Sequence, residues 1–272
     1  MNWTNIPIKD RAAAFIDVSR GHDFNDQSKL DIMKDMYEGE TVYIVSCGPS
    51  LAGIDSDILI RELADKPVLT VKQAFGYMDG NVDIHHYNCN NFTGYDTPET
   101  IVLASSSSAQ KAIESGLWSG YSNDIFFKIK GGGNSQTLCG SCDFDNNTFD
   151  KTGTRRMWGP GTLFETTLFT AIHTGASKIS LIGVDQAPSS MDDNSKSFSH
   201  FYDSKDIYKS TIDGSVGLLF KGENELVKQG LSLFHEWCTE VGVELEVCSK
   251  DSYLTDSINR NFWLYYLDGE SK

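Results

Sequence analysis

The stretch from Thr41 to Asp55, TVYIVSCGPSLAGID, most limits the folds open to this chain. Val42, Tyr43, Ile44 and Val45 favour β structure and run too continuously for a half-exposed strand, which predicts a strand buried on both faces of a parallel sheet. The run stops at Cys47-Gly48-Pro49-Ser50 and resumes as a helical pattern. Gly48 lets the backbone turn closely, and Ser50 is placed to cap the helical segment after it and set a hydroxyl beside free helix N–H groups. Such a turn suits a phosphate, and it equally suits a plain strand-to-helix connection. The turn is neither GxGxxG nor a Walker loop, so no dinucleotide or P-loop fingerprint is claimed.

Similar strands recur down the chain. Apolar β-type runs are predicted at Val42 to Cys47, Val68 to Val71, Val82 to Tyr87, Ile101 to Ala104, Ile125 to Ile129, Ile179 to Gly183 and Val243 to Cys248. Helical patterns fall between several of them, at Asp57 to Ala64, Ser108 to Ser115, Leu163 to Thr174 and Glu223 to Val241. This alternation predicts an α/β fold, an open and mostly parallel sheet with helices on both faces. Residues 1–40, with a helix expected from Gln27 to Tyr37, read as an N-terminal extension, and 41–272 as a single domain. Two stretches break the alternation: 131–159, rich in Gly, Asn, Asp, Ser and Thr, and 186–217, a polar segment around an aromatic cluster. Long loops in compact domains commonly bind or cover something, so both are expected to cover a ligand at the carboxyl edge of the sheet, the second as a lid-like insertion; a surface excursion is the alternative for both, and for the first it is equally open.

Composition narrows the functional classes. A formal charge of −15 over 272 residues repels a phosphate backbone at long range, and no dense Lys/Arg run offsets it, so nucleic acid is a disfavoured partner. The N-terminus lacks the pattern of a signal peptide and no window approaches a membrane span, which predicts a cytoplasmic protein without a transmembrane segment. Of six cysteines, Cys47, Cys89, Cys238 and Cys248 lie in or beside apolar segments and read as buried thiols. Cys139 and Cys142 form an isolated CxxC, a weak metal or redox signal, and no metal site is assigned. Aromatics at Phe262, Trp263, Tyr265 and Tyr266 suit either a core edge or a homo-oligomer interface.

A second block is GPGTLFETTLFTAIHTGASKISLIGVDQ. Gly161 and Thr162 begin a helix, Gly175 stops it, and Lys178 to Val184 forms a buried strand ending at Asp185. A second helix N-terminus is thereby aimed at the same sheet edge as the first. Arg155 and Arg156 lie just upstream, and a guanidinium fork suits phosphate oxygens. Asp185 is placed to bind a ribose hydroxyl, orient a partner, coordinate Mg²⁺ or cap the following turn. Of the adjacent pair His85 and His86, one is expected to pack inside and the other to contact ligand or loop, because side chains alternate across a strand. His173 and His235 read as structural.

These residues, in this order, resemble the bacterial lipooligosaccharide sialyltransferases and a related Rossmann-like group that includes archaeal 6-hydroxymethylpterin diphosphokinases. The resemblance rests on GPSL after the first strand, the Gly/Thr-started helix running into HTGASKISLIGVD, and CSKDSYL after the last strand, and spans roughly Thr41 to Leu254. It implies a nucleotide-activated sugar, in those enzymes a CMP-sugar, held by Cys47, Gly48, Pro49 and Ser50, with Asn88 and Thr162 as further contacts. Two positions depart from the pattern: Cys47 stands where an Asn is expected, and the position of a second Asn falls near Lys72 and Gln73. The resemblance also implies a His general base after the GxD motif, here His200, and tyrosines that stabilise the departing phosphate, here Tyr202 and Tyr208.

The expected function is a sialyltransferase-like glycosyltransferase, with a nucleotide-sugar donor, an acceptor hydroxyl such as that of a glycan, and no obligatory cofactor. His suits the role of base because its unperturbed pKa is near neutral, and Tyr hydroxyls suit donation to a charged leaving group. Two alternatives remain open. One is a Mg²⁺-dependent pyrophosphokinase relying on Asp83, Asp185, Asp192 and Asp193, and the other a nucleotide-binding protein without catalysis.

Overall fold

The computed structural model describes residues 1–87, 97–114, 116, 118–130, 142–159, 161–185, 216–249, 252 and 258–265. Among these residues nine strands form one sheet in the order β6-β5-β4-β3-β2-β1-β7-β8-β9. They are β1 (Thr41–Val45), β2 (Val68–Val71), β3 (Ile84–Tyr87), β4 (Ile101–Ser105), β5 (Ile125–Lys130), β6 (Arg155–Met157), β7 (Lys178–Ile182), β8 (Glu244–Val247) and β9 (Asn259–Arg260). Every pairing is parallel. The protein is thus the open α/β, Rossmann-like sheet that the alternating pattern predicts.

The central strand explains itself. Val42, Ile44 and Val45 of β1 are fully buried, and β1 pairs with β2 on one side and β7 on the other. Each such aliphatic side chain contributes about 1.5–3 kcal/mol on burial, which outweighs any local preference in so short a strand.

Helices cover both faces. One face receives α3 (Ser56–Leu63), α4 (Ala74–Tyr77) and α5 (Ser106–Glu114). Asp55 starts α3 by accepting from the N–H groups of Asp57 and Ile58 at 2.9 and 3.1 Å, and Leu59 and Leu63 turn inward. The other face receives α1 (Arg11–Gly21), α2 (Asp26–Met33), the short α6 (Phe144–Asn147) and α7 (Phe149–Thr152), α8 (Leu168–His173) and α9 (Val216–Val241). Trp3, Phe15, Ile16, Leu30, Met33, Met36 and Tyr37 all belong to the main core on this face, so the first 40 residues complete it.

Several boundaries differ from those expected. The helix expected from Gln27 to Tyr37 ends at Met33, after which Asp35 adopts a left-handed φ of 57° and the chain turns toward β1. The described part of 131–159 is ordered as α6, α7 and β6, with Phe144 and Phe149 anchoring it in the core. Before α8 the chain forms a π-helical turn from Leu163 to Thr167 where a continuous α-helix was expected. The hydroxyls of Thr166 and Thr167 both donate to the Thr162 carbonyl, at 3.3 and 3.2 Å, so both side chains compete with regular helix hydrogen bonding there. Among the described residues no helix is long and apolar enough to cross a membrane.

Candidate functional site

Strands β2 to β6 are added on one side of β1, and the chain then crosses back to add β7, β8 and β9 on the other. The chain leaves β1 toward α3 on one face, and α9, between β7 and β8, covers the other, so the carboxyl ends of these adjacent strands flank a topological switch point. Open α/β sheets bind ligands in this position.

The two strand ends are locked together. The Ser46 N–H donates to the Ile182 carbonyl at 2.8 Å and the Gly48 N–H to the Gly183 carbonyl at 2.7 Å, which continues the ladder past both strands. Gly48 has no room for a side chain: a Cβ there would overlap Asp185 Oδ2 and the Gly183 carbonyl. Gly183 carries a φ of +68°, a left-handed conformation that favours glycine. The Asp185 carboxylate then closes the turn, with Oδ2 accepting from the Ser50 N–H at 2.6 Å and Oδ1 from the Ser50 hydroxyl at 2.5 Å. Residues 49–53 form a 3₁₀ turn and the regular helix starts only at Ser56.

This arrangement revises the expected cradle. The Ser50 N–H and hydroxyl, the groups suited to a phosphate, are both held by a carboxylate of the same chain. Asp185 therefore caps the turn at Ser50, 135 residues away in sequence, where the sequence suggested at most a cap on the turn that follows it. Cys47 points away from the crevice edge: its thiol donates to the Val71 carbonyl at 3.0 Å and lies 4.0 Å from Gln73 Oε1. The structure thus brings Cys47 and Gln73 together, both buried, beyond the end of β2. Lys72, just before Gln73, holds a left-handed φ of 51°.

Serines of the CSKDSYL segment complete the lock, a role not expected for them from sequence. Ser249 Oγ accepts from the Gly183 N–H at 2.8 Å, and the Ser252 hydroxyl donates to the Val184 carbonyl at 2.8 Å. Their signal in the sequence was the motif itself, which carried the family resemblance and no residue role.

The helix start at Gly161 and Thr162 lies beyond β6, and Gly161 adopts a φ of +80°. The Thr162 hydroxyl is buried and has no hydrogen-bond partner among the described residues. Arg156 is placed differently from the expectation. It is fully buried, its guanidinium carbon 4.2 Å from the Phe149 ring centroid and 4.6 Å from that of Phe169. Its Nε donates to the Glu165 carbonyl at 2.9 Å and Nη1 to the Thr152 hydroxyl at 2.5 Å. Burial pulls its pKa down to about 9. This is a core cation sandwiched between aromatic rings, not a surface fork awaiting a phosphate; the exposed neighbour is Arg155.

His85 and His86 do fall on opposite faces, yet both are buried. His85 Nδ1 meets the Thr70 hydroxyl at 3.0 Å and its ring packs on Phe75, while His86 Nε2 meets the Thr170 hydroxyl at 3.0 Å. Thr170 spends its proton on the Thr166 carbonyl, so His86 is the donor through Nε2–H, and its buried Nδ1 is an acceptor with no partner among the described residues. Burial pushes both pKa values down to about 3, so both rings are neutral at physiological pH. The expectation that one of the pair contacts a ligand or loop gives way to packing inside for both.

The two described carboxylates of the Mg²⁺ alternative lie at opposite edges of the sheet. Asp83 lies at the amino edge, where Oδ2 accepts from the Val68 N–H at 2.7 Å, while Asp185 closes the carboxyl edge. Burial raises the Asp83 pKa to about 7. Among the described residues no group of three or more His, Cys, Asp or Glu side chains could hold a metal ion. Asn88, Pro160, Asp192, Asp193, His200, Tyr202, Tyr208 and the lid-like 186–215 lie outside the described residues, as do Cys89 and Cys139.

No family model matches the chain and no curated protein matches its sequence, so the likeness to sialyltransferases and pterin diphosphokinases rests on the motifs. Among solved structures, the chain is similar to the MAf glycosyltransferase from Magnetospirillum magneticum AMB-1, at 12% identity and a TM-score of 0.46 over 94% of this chain. The match covers 38% of that enzyme's chain, so this protein spans well under half its length.

Proposed function

We propose that the protein is a glycosyltransferase that moves a sugar from a nucleotide-activated donor, such as a CMP-sugar, to an acceptor hydroxyl. The observation that carries this reading is the built crevice at the β1/β7 switch point, where Gly48, Ser50, Gly183 and Asp185 are locked into one rigid edge. The motif order that resembles the sialyltransferases converges on the same edge.

In this scheme the donor lies across that edge, and Asp185 acts as a positioning residue that holds the turn. His200, fifteen residues beyond Asp185 in the chain, takes the proton from the acceptor hydroxyl. The freed oxygen forms the new bond to the anomeric carbon as the bond to the phosphate breaks. The nucleotide departs with that electron pair, and Tyr202 and Tyr208 donate hydrogen bonds to its phosphate oxygens. Binding of donor nucleotide raises the apparent melting temperature of the folded protein, and a thermal-shift panel of CMP, UDP, GDP and ATP identifies the base. No shift with any nucleotide contradicts the proposal.

A further inference from the structure

A second concave surface lies on the sheet face covered by α3, apart from the crevice. It is an open cleft of about 370 Å³, a volume within the range of small-molecule sites. Its floor is built from an unusual pattern in the strands. A parallel strand buried on both faces is apolar throughout, yet β7 reads Lys-Ile-Ser-Leu-Ile and β8 reads Glu-Leu-Glu-Val. In register, Tyr43, Ser180 and Glu246 form one row across three strands, and Thr41, Lys178 and Glu244 form the next. Of these positions, Thr41, Tyr43, Lys178 and Glu246 line the cleft.

The floor is rigid. Glu246, buried within it, accepts from the Ser180 hydroxyl through Oε1 and from Asn261 through Oε2 at 3.3 Å, and Lys178 Nζ lies 2.7 Å from Oε2. Lys178 also pairs with Glu244 at 3.2 Å. Trp263 forms a wall and meets the Tyr43 ring edge-on, with centroids 6.4 Å apart.

Two polar groups on the rim are uncommitted: no hydrogen bond or ion pair with another described residue engages the Tyr43 hydroxyl or the Lys66 ammonium. Burial and the Glu246 carboxylate push the Tyr43 pKa up, which keeps that hydroxyl a donor. The charges around the cleft compensate, with Lys66 and Lys178 set against Glu62 and Glu246. A cleft with balanced charge has little preference for an anion or a cation. Donors and acceptors held beside an aromatic wall suit a neutral ring that carries hydroxyls on its edge and C–H groups on its face.

We propose that this cleft is a saccharide-binding site separate from the crevice at the β1/β7 switch point. Its role in anchoring the sugar acceptor rests on the glycosyltransferase reading; the binding itself does not. Saturation-transfer NMR with glucose, galactose and N-acetylglucosamine at about 10 mM tests the site on the full chain, with phosphate and acetate as charged comparisons. The expected result is binding of at least one saccharide and of neither anion. Tyr43→Phe should weaken it about fivefold, the loss of one neutral hydrogen bond, and Trp263→Ala about tenfold or more.

Circular dichroism and the nucleotide thermal shift monitor folding and the crevice in the same variants, and both should stay at their wild-type values. If Trp263→Ala loses its fold, Tyr43→Phe alone decides. Saccharide binding without any nucleotide shift sustains this site and removes only the acceptor role. Absence of saccharide binding, binding unchanged in a folded Tyr43→Phe variant, or a preference for the anions overturns the proposal.

Discussion

Asp185 and Ser50, 135 residues apart in sequence, make a two-point contact in which one carboxylate receives both the backbone N–H and the hydroxyl of the serine. This contact turns two strand ends into one rigid edge. It also fills the anion-binding groups of the turn from within the chain, so the turn is shaped before any ligand arrives.

Removing that carboxylate should loosen the edge. Asp185→Ala is expected to cost about 2–3 kcal/mol, the range for hydrogen bonds to a charged group that leave buried donors unpaired. Ser50→Ala keeps the backbone bond and should cost about 1–2 kcal/mol. Urea unfolding of both variants checks the order; equal stability to wild type would mean that the contact is not formed in solution.

Gly48 has a steric role that a mutation reads directly. A methyl group there would overlap Asp185 Oδ2 and the Gly183 carbonyl, both fixed by the lock. Gly48→Ala should therefore destabilise by about 1–3 kcal/mol, as overpacking does, and should lower any nucleotide-induced thermal shift. A silent Gly48→Ala variant would show that the two strand ends are further apart than described.

Arg156 is expected to behave as a core residue. With its guanidinium between Phe149 and Phe169, Arg156→Ala should lower stability by about 2–4 kcal/mol through lost packing and cation–π contact. At temperatures where the variant remains folded, nucleotide affinity should match wild type. An affinity loss without a stability loss would return Arg156 to the role of phosphate ligand.

Stability should rise with pH across the acidic range. Because burial holds His85 and His86 near pKa 3 against an ordinary 6.5, the unfolded chain alone takes up these two protons as pH falls below 6.5. Asp83 opposes this: its folded pKa near 7 lies above the ordinary 3.8, so the native state holds one proton that the unfolded chain releases between those values. The balance is one proton in favour of the unfolded state. From about pH 6.5 down to pH 4, these three groups should therefore remove about 1.4 kcal/mol per pH unit. His86→Gln, which removes one of the two histidine protons, should flatten that contribution. Urea titrations at several pH values check both slopes.

The legible part of the fold was the part set by local pattern. The continuous apolar run at Val42 to Val45 and the LIGVD segment announced β1 and β7, because burial on both faces demands such runs. Strand β6, only three residues with Arg-Arg in it, and the two-residue β9 carry no such pattern, since edge strands are held by their partners. Helix α1 buries Ala12, Phe15 and Ile16 at helical spacing, but its many alanines blur the contrast between faces. At the candidate site, glycines and serines were visible while their partners were not. Nothing local tells that Asp185 reaches Ser50, that Arg156 turns inward, or that both neighbouring histidines are buried, because each depends on strands brought together from distant parts of the chain.

The most direct test of the central claim is release of free nucleotide from CMP-, UDP- and GDP-sugars in the presence of saccharide acceptors, for wild type and His200→Ala. The account predicts acceptor-dependent release by wild type from at least one donor, and a loss of about 100-fold or more in His200→Ala with the donor still bound. Release unaffected by His200→Ala would contradict the mechanism, and no release from any donor would contradict the function.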